Sequence, residues 1–168
     1  ARDLARGRLR AFWRTVRARL DNFPDEELAQ AARALSPSDF GFHNALREND
    51  GRLRFVDFEY AGWDDPAKTI ADFFLQPAVP VPWDRYAEVA GAMARALDQG
   101  EPLLRRARAL HPLFGVKWCC ILLNEFVPRD AARRGYARPD EDRHSRKRQQ
   151  LARARALLDR LESETLDP

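Results

Sequence analysis

Asp39-Phe40-Gly41-Phe42-His43-Asn44 and, further along, Asp57-Phe58-Glu59 are the words from which the rest of this chain is read. Between them run Ala45-Leu46-Arg47, the turn-forming Glu48-Asn49-Asp50-Gly51, and the apolar-rich Leu53-Arg54-Phe55-Val56. Two short strand-like runs joined by Asn, Asp and Gly read as a β-hairpin. A hairpin returns its two ends to one place. Asn44 at the entrance and Asp57 at the exit therefore become neighbours, with Asp39 on the loop just before them.

Two carboxylates and an amide gathered in this way suit phosphoryl transfer, which asks a protein for positioning and charge neutralisation more than for covalent work. One carboxylate has to accept the proton of the attacking hydroxyl, and Asp39 fits that role. Magnesium takes hard oxygen ligands, one or two of them protein carboxylates, and completes its octahedron with water and phosphate. Asn44 and Asp57 supply an amide oxygen and a carboxylate for it. Asp39 alone reads as readily as a turn residue bonding its own backbone; the hairpin, Asn44 and Asp57 together favour the catalytic role. Asp57 closes an apolar strand, which predicts a carboxylate beside buried groups, costly unless a metal or partner neutralises it.

The pattern D-x-x-x-x-N followed by D-F resembles the catalytic loop and metal aspartate of the protein-kinase-like superfamily. The continuation Asp57-Phe-Glu-Tyr-Ala-Gly-Trp-Asp-Asp-Pro66 looks most like its small-molecule branch, the aminoglycoside phosphotransferase and choline kinase group. The likeness is detailed over residues 36–75 and general over the helical remainder. It implies a mainly α fold with a small β-hairpin, the C-terminal lobe of a kinase-like enzyme that moves the γ-phosphoryl group of ATP to a hydroxyl of a small molecule. It implies Asp39 as base, Asn44 and Asp57 as Mg²⁺ ligands, and Asp65 as a brace of the catalytic loop; by position, His43 beside Asn44 is a candidate to touch substrate or phosphate, and Glu59 reads equally as a group that orients a water or ligand and as an exposed residue at the hairpin exit. Asp65 also reads as the N-cap of a following helix, and His43 as a solvated loop residue. Tyr60, Trp63, Trp83 and Trp118 offer an aromatic wall for a cationic substrate, with core packing the simpler reading of Trp83 and Trp118.

The chain departs from that pattern in places. Pro37 stands where the family usually has His, Ser38 replaces the Gly or Arg beside it, and Thr69 replaces a second Asp after Asp65-Pro66. A kinase-like enzyme also needs an N-terminal β lobe with a lysine that grips the phosphates. Here the chain opens at Ala1 on helix, and its lysines, Lys68, Lys117 and Lys147, all follow the catalytic loop. The expectation is one lobe of a longer enzyme, the N-terminal lobe lying outside this chain.

The 168 residues suffice for one domain with a real core, and no shift in composition divides them, so a single domain over 1–168 is expected: the catalytic loop and hairpin at 36–59 and a helical remainder at 65–165. Lys and Arg total 29 against 26 Asp and Glu, for a net charge of +3. Arginines interspersed with acids along helices read as a solvated face rather than a nucleic-acid footprint, although Arg143, Arg146, Lys147 and Arg148 form a basic cluster that a nucleic-acid-binding rival would use. Cys119 and Cys120 adjoin within an apolar run and read as buried thiols in a reducing cytoplasm. The longest apolar stretch, Pro112 to Phe126, carries Lys117, Asn124 and Glu125 and is too short to span a bilayer. A second rival keeps the fold and drops the chemistry: a catalytically silent module that binds a nucleotide or a partner protein.

Helical periodicity in Leu9, Phe12, Trp13, Val16 and Leu20 predicts an opening helix, and a second is expected from Pro24 to about Leu35. Asp65-Pro66 launches a helix burying Ile70, Phe73 and Phe74, followed by the extended connector Gln76–Pro82. Trp83, Tyr86, Val89, Ala90, Met93 and Leu97 form another stripe, closed at Gly100. The next helix is expected to break at Pro112 and its apolar sequel to stop before Pro128. Arg129 to Arg143 reads as an exposed loop, and Leu151, Leu157, Leu158 and Leu161 mark a final helix.

Overall fold

A computed structural model describes residues 1–21, 23, 27–127 and 142–166, with side chains to 164. It is mainly helical with two small antiparallel β ladders. The chain falls into two compact units, Ala1–Asn22 with Gly115–Pro168, and Phe23–Phe114. Most of the expected loop from Arg129 to Arg143 lies outside the described residues, as does the start of the helix expected after Pro24.

The first unit is built from helices. Leu4–Leu9 is π-helical and runs into α1 (Arg10–Leu20); Leu9, Phe12 and Val16 of the predicted stripe are buried, Trp13 and Leu20 only half-buried, and Leu4, outside that stripe, is buried as well. The final helix, Arg143–Leu166, buries Ala154, Leu157, Leu158 and Leu161. Arg8 reaches from the opening helix to Asp159 at 2.7 Å and Glu162 at 2.5 Å. Gly115 admits a close contact, because a Cβ there would lie 2.5 Å from a methyl of Leu161. Cys119 is buried, which pushes its thiol up to about 12, whereas Cys120 is exposed rather than buried as expected. Of the basic cluster, Arg146 is buried 3.5 Å from Glu125 and Lys147 lies over the Phe126 ring, so two of its four cations serve packing.

The second unit holds four strands, β1 (Ala34–Ser36), β2 (Ala45–Arg47), β3 (Leu53–Phe55) and β4 (Gly62–Asp64). The predicted hairpin forms: β2 pairs with β3 in the register Ala45↔Phe55, Leu46↔Arg54, Arg47↔Leu53. A second ladder was not expected: β1 pairs with β4, Ala34↔Asp64, Leu35↔Trp63 and Ser36↔Gly62. It displaces the helix expected to reach Leu35, since residues 27–36 contain one 3-10 turn, Gln30–Ala32, and then β1.

Helix α2 (Pro66–Leu75) follows Asp65, whose carboxylate accepts from the Ala67 N–H at 2.9 Å, the predicted cap with proline in the first turn. It is buried along nearly its whole length. A 3-10 turn, Trp83–Arg85, leads into α3 (Tyr86–Ala96). Gly100, at φ +48°, opens α4 (Gly100–Leu123) instead of closing α3. Pro112 lies inside α4 without breaking it. Buried Leu103, Ala107, Leu110, Gly115, Cys119 and Leu122 keep helical spacing on both sides of it, so burial outweighs the lost hydrogen bond. The final helix, Arg143–Leu166, becomes α5. No helix among the described residues is long and apolar enough to cross a membrane.

An aromatic cluster fills the second unit. Phe73 and Phe74 of α2 meet edge to face at 5.3 Å, Phe74 lies 5.2 Å from Tyr86 and 5.7 Å from Trp83, and Trp83 lies 4.6 Å from His111. Trp83 is thus a packing residue. Tyr86 is buried with its hydroxyl unpartnered among the described residues, and burial pushes its pKa up to about 12. A raised tyrosine contributes stability that is fully present below the ordinary value near 10 and is lost as pH rises through about 12. Tyr86→Phe removes a buried hydroxyl without stranding a partner, so denaturation at neutral pH should show stability unchanged or raised by up to about 1 kcal/mol. The variant should also lose part of the wild-type decline between pH 10 and 12; a marked loss of neutral-pH stability would contradict this placement of the ring.

Candidate functional site

The two ladders hold the functional words face to face. Residues 37–44 run from β1 to β2, and residues 56–61 run from β3 to β4. Because β1 pairs with β4 and β2 with β3, both loops are tied at both ends and lie opposite each other between the ladders. The inner tie extends one residue past the hairpin, where the Val56 N–H donates to the Asn44 carbonyl at 2.8 Å. Asp57 follows directly, beside Asn44, as the hairpin reading requires.

Alternation within the first loop separates anchors from chemistry. Phe40 stacks at 5.3 Å on Phe73 and lies 4.8 Å from Phe55 of β3, while Phe42 meets Phe73 edge to face at 5.1 Å. Between these anchors Gly41 is buried, and Asp39 keeps half of its side chain exposed. A one-turn 3-10 helix, Phe42–Asn44, closes the loop with the Asn44 N–H on the Gly41 carbonyl at 3.0 Å. The Asn44 side chain donates from Nδ2 to the Asp39 carbonyl at 2.9 Å, which turns its Oδ1 the other way.

Two residues of the site occupy left-handed backbone, Ser38 at φ +70° and Asp57 at φ +66°. Neither is glycine, and such residues persist where the surroundings over-determine them. Ser38 is held through both backbone polar groups: its N–H donates to the Ser36 hydroxyl at 3.1 Å and its carbonyl accepts from Lys68 at 3.3 Å. Ser36 is buried and takes a second hydrogen bond from Thr69 at 2.9 Å. Thr69 thus has a defined structural task at the root of the loop that carries Asp39. These supports were not found from sequence, although the i,i+4 spacing of Asp64, Lys68 and Asp72 was a legible signal.

Lys68 lies 2.9 Å from Asp64 and 3.3 Å from the buried Asp72. Burial pushes the lysine pKa down, but hydrogen bonds and charge from Asp64 and Asp72 outweigh that and hold it above its ordinary value. Asp65 caps α2 and pairs with Arg106 at 2.7 Å, so its contacts serve α2 and α4. Glu59 is exposed. Asp57 is exposed as well, and Val56 before it is 39% exposed, so the expected desolvation around this carboxylate is absent. His43 is not a solvated bystander: its ring packs on Gly41 and its Nε2 lies 3.2 Å from an Asp39 carboxylate oxygen. Tyr60 and Trp63 are 71% and 68% exposed, unlike Trp83.

Two side chains of these loops could contribute to holding a divalent cation such as Mg²⁺. Asn44 Oδ1 and the Asp57 carboxylate are hard oxygens on adjoining loops, and one carboxylate with one amide is the sparse protein share that ion accepts when phosphates complete its shell. Among the described residues no group of three or more His, Cys, Asp or Glu could hold a metal unaided.

Two outcomes test this architecture. A Cβ on Gly41 would lie 2.7 Å from His43 Nδ1 and 2.9 Å from Gln76 Cγ. Gly41→Ala should therefore cost about 2 kcal/mol in chemical denaturation, and adding His43→Ala should recover part of it; simple additivity would show that the ring and Gly41 are not in contact. Lys68→Met should destabilise by roughly 3 kcal/mol at neutral pH by removing the cation that joins Asp64, the buried Asp72 and the Ser38 carbonyl. Because the folded lysine is raised, its contribution is complete below about pH 10.4 and fades above it, so wild type and variant should converge only in strong alkali.

Comparison of the chain with protein-family models, with curated proteins and with solved structures finds no match, so the functional reading rests on these residues and their geometry.

Proposed function

We propose that this protein carries the catalytic lobe of an ATP-dependent phosphotransferase that moves the γ-phosphoryl group to a hydroxyl of a small molecule, within the aminoglycoside phosphotransferase and choline kinase group it resembles. The observation that carries the reading is the clamping of two acidic loops between two ladders, with Asp57 in left-handed backbone beside Asn44. Asp tolerates left-handed backbone in ordinary turns, as Asp98 does here, so the weight falls on its coincidence with the tie to Asn44.

The residues divide the work as follows. Asp39, exposed on a loop anchored by Phe40 and Phe42, accepts the proton of the acceptor hydroxyl as it attacks. Asn44 and Asp57 would hold Mg²⁺, which when bound neutralises charge on the phosphates. Ser36, Lys68 and Thr69 fix the backbone from which Asp39 projects. Positioning is the main demand of this reaction, and a loop tied at both ends meets it.

The proposal includes a second lobe to grip the phosphates. Lys68 is committed to Asp64, Asp72 and the Ser38 carbonyl, Lys117 lies over Trp118 and Lys147 over Phe126. The strands carry an apolar surface such a lobe could cover: Leu35 and its ladder partner Trp63 are both 68% exposed, and Leu46 is 59% exposed.

The test is transfer of label from γ-labelled ATP to a panel of amino sugars and amino alcohols by the full-length protein, with and without Mg²⁺. Asp39→Asn and Asp57→Asn should each lower turnover about 10²-fold or more while leaving the thermal midpoint in place. Wild-type turnover in Asp57→Asn sinks the assignment, and Mg²⁺-dependent ATP binding without transfer would favour the silent binding module instead.

A further inference from the structure

His43 has no part in the chemistry described so far, yet it is the residue most closely engaged with the base. Its side chain is 18% exposed against 51% for Asp39, and its Nε2 lies 3.2 Å from Asp39 Oδ1. The other ring nitrogen, Nδ1, is buried and has no hydrogen-bond partner among the described residues. That side of the ring rests on Gly41, where a Cβ would come within 2.7 Å of Nδ1 and 2.8 Å of Cε1.

The two nitrogens are therefore not equivalent. A proton on Nδ1 would be a buried donor with nothing to accept it, whereas Nε2 faces a carboxylate. On that ground Nδ1 keeps its lone pair and Nε2 carries the hydrogen, and its 3.2 Å approach to Asp39 Oδ1 is one that a small turn of the carboxylate converts into a hydrogen bond. Asp39 has its backbone carbonyl held by Asn44, but its carboxylate could still rotate about its own side-chain bonds. A bond from His43 would fix one oxygen and leave Oδ2 for an incoming hydroxyl.

We infer that His43 is the positioning residue of the proposed base: through its Nε2–H it locks the Asp39 carboxylate in one rotamer, and Gly41 is glycine so that the ring can sit where it does. The inference rests on the phosphotransferase reading for its functional half and on geometry alone for the pairing. Pro37, where the resembled family places a histidine, leaves that support to be supplied from elsewhere, and His43 approaches the same aspartate to 3.2 Å from the opposite side in sequence.

Two measurements test it. Long-range ¹H–¹⁵N spectra of the whole chain resolve its three histidines, with His43 identified as the signal lost in His43→Gln. The expected spectrum shows the Nε2–H form, changing towards a mixture of the two neutral forms in Asp39→Ala. An Nδ1–H form, or a His43 signal indifferent to Asp39→Ala, overturns the pairing whether or not the protein is an enzyme. In the transfer assay, His43→Phe keeps a ring without a donor and should lower kcat about tenfold or more, with KM for ATP and acceptor changed by no more than about twofold. His43→Gln restores a donor at similar reach and should recover most of the rate. Equal losses in the two variants, or a loss confined to KM, overturn the positioning role. Absence of transfer by the wild-type protein overturns the functional half together with the phosphotransferase reading, and leaves the spectrum to decide the pairing.

Discussion

The stacking of Phe40 and Phe42 on Phe73 is the contact on which the candidate site depends. Phe73 belongs to α2, the most buried helix of its unit, and it continues through Phe74 to Trp83, Tyr86 and His111. Each such pair of rings contributes about 1 kcal/mol beyond the area it buries. Their greater consequence is geometric, since rings locked in a packed cluster do not slide. With Phe40 and Phe42 held there, Gly41 is buried between them, and Asp39, just before the first anchor, keeps half of its side chain in solvent.

Aromatic anchoring sets the inner side of the loop, and the two ladders set its ends. Closing β1 on β4 and β2 on β3 leaves residues 37–44 and 56–61 little freedom to separate. Within that frame Ser38 and Asp57 hold left-handed backbone, each at a cost of roughly 1 kcal/mol or more for a residue with a Cβ. At Ser38 the compensation is visible in the Ser36 and Lys68 hydrogen bonds. At Asp57 it comes from the Val56–Asn44 bond on one side and from the β4 ladder a few residues on.

What could be read from the sequence was local. Turn chemistry at Asn49-Asp50-Gly51 gives the hairpin, Asp65-Pro66 gives the start of α2, and apolar spacing gives α1, α3 and α5. The pairing of β1 with β4 was not legible, because three-residue strands carry no usable alternation and the partners are joined only through the whole site. Ala29, Ala31, Ala32, Ala34 and Leu35 have good helix propensity, yet the ladder to Trp63 and Asp64 prevails over it. Pro112 misled in the opposite direction, as burial on either side carries α4 through it. The role of His43 depends on the missing side chain of Gly41 and on a three-dimensional approach that spacing alone does not reveal.

Charge is distributed unevenly across this region, and that bears on what the loops can attract. The acids of the α2 side are neutralised: Asp64 and Asp72 share Lys68, and Asp65 holds Arg106. On the loops, no Lys or Arg among the described residues pairs with Asp39, Asp57 or Glu59, and Asp39 has only the imidazole of His43. A protein with 29 basic residues has no shortage of cations for such pairing, and the exposed hairpin tip uses Arg52 on Asp50 and Arg54 on Glu48. Carboxylates without a Lys or Arg partner among the described residues, on two clamped loops, favour cations over free anions in their neighbourhood. The same charge pattern places cations, rather than free anions, as the first species these loops would draw in.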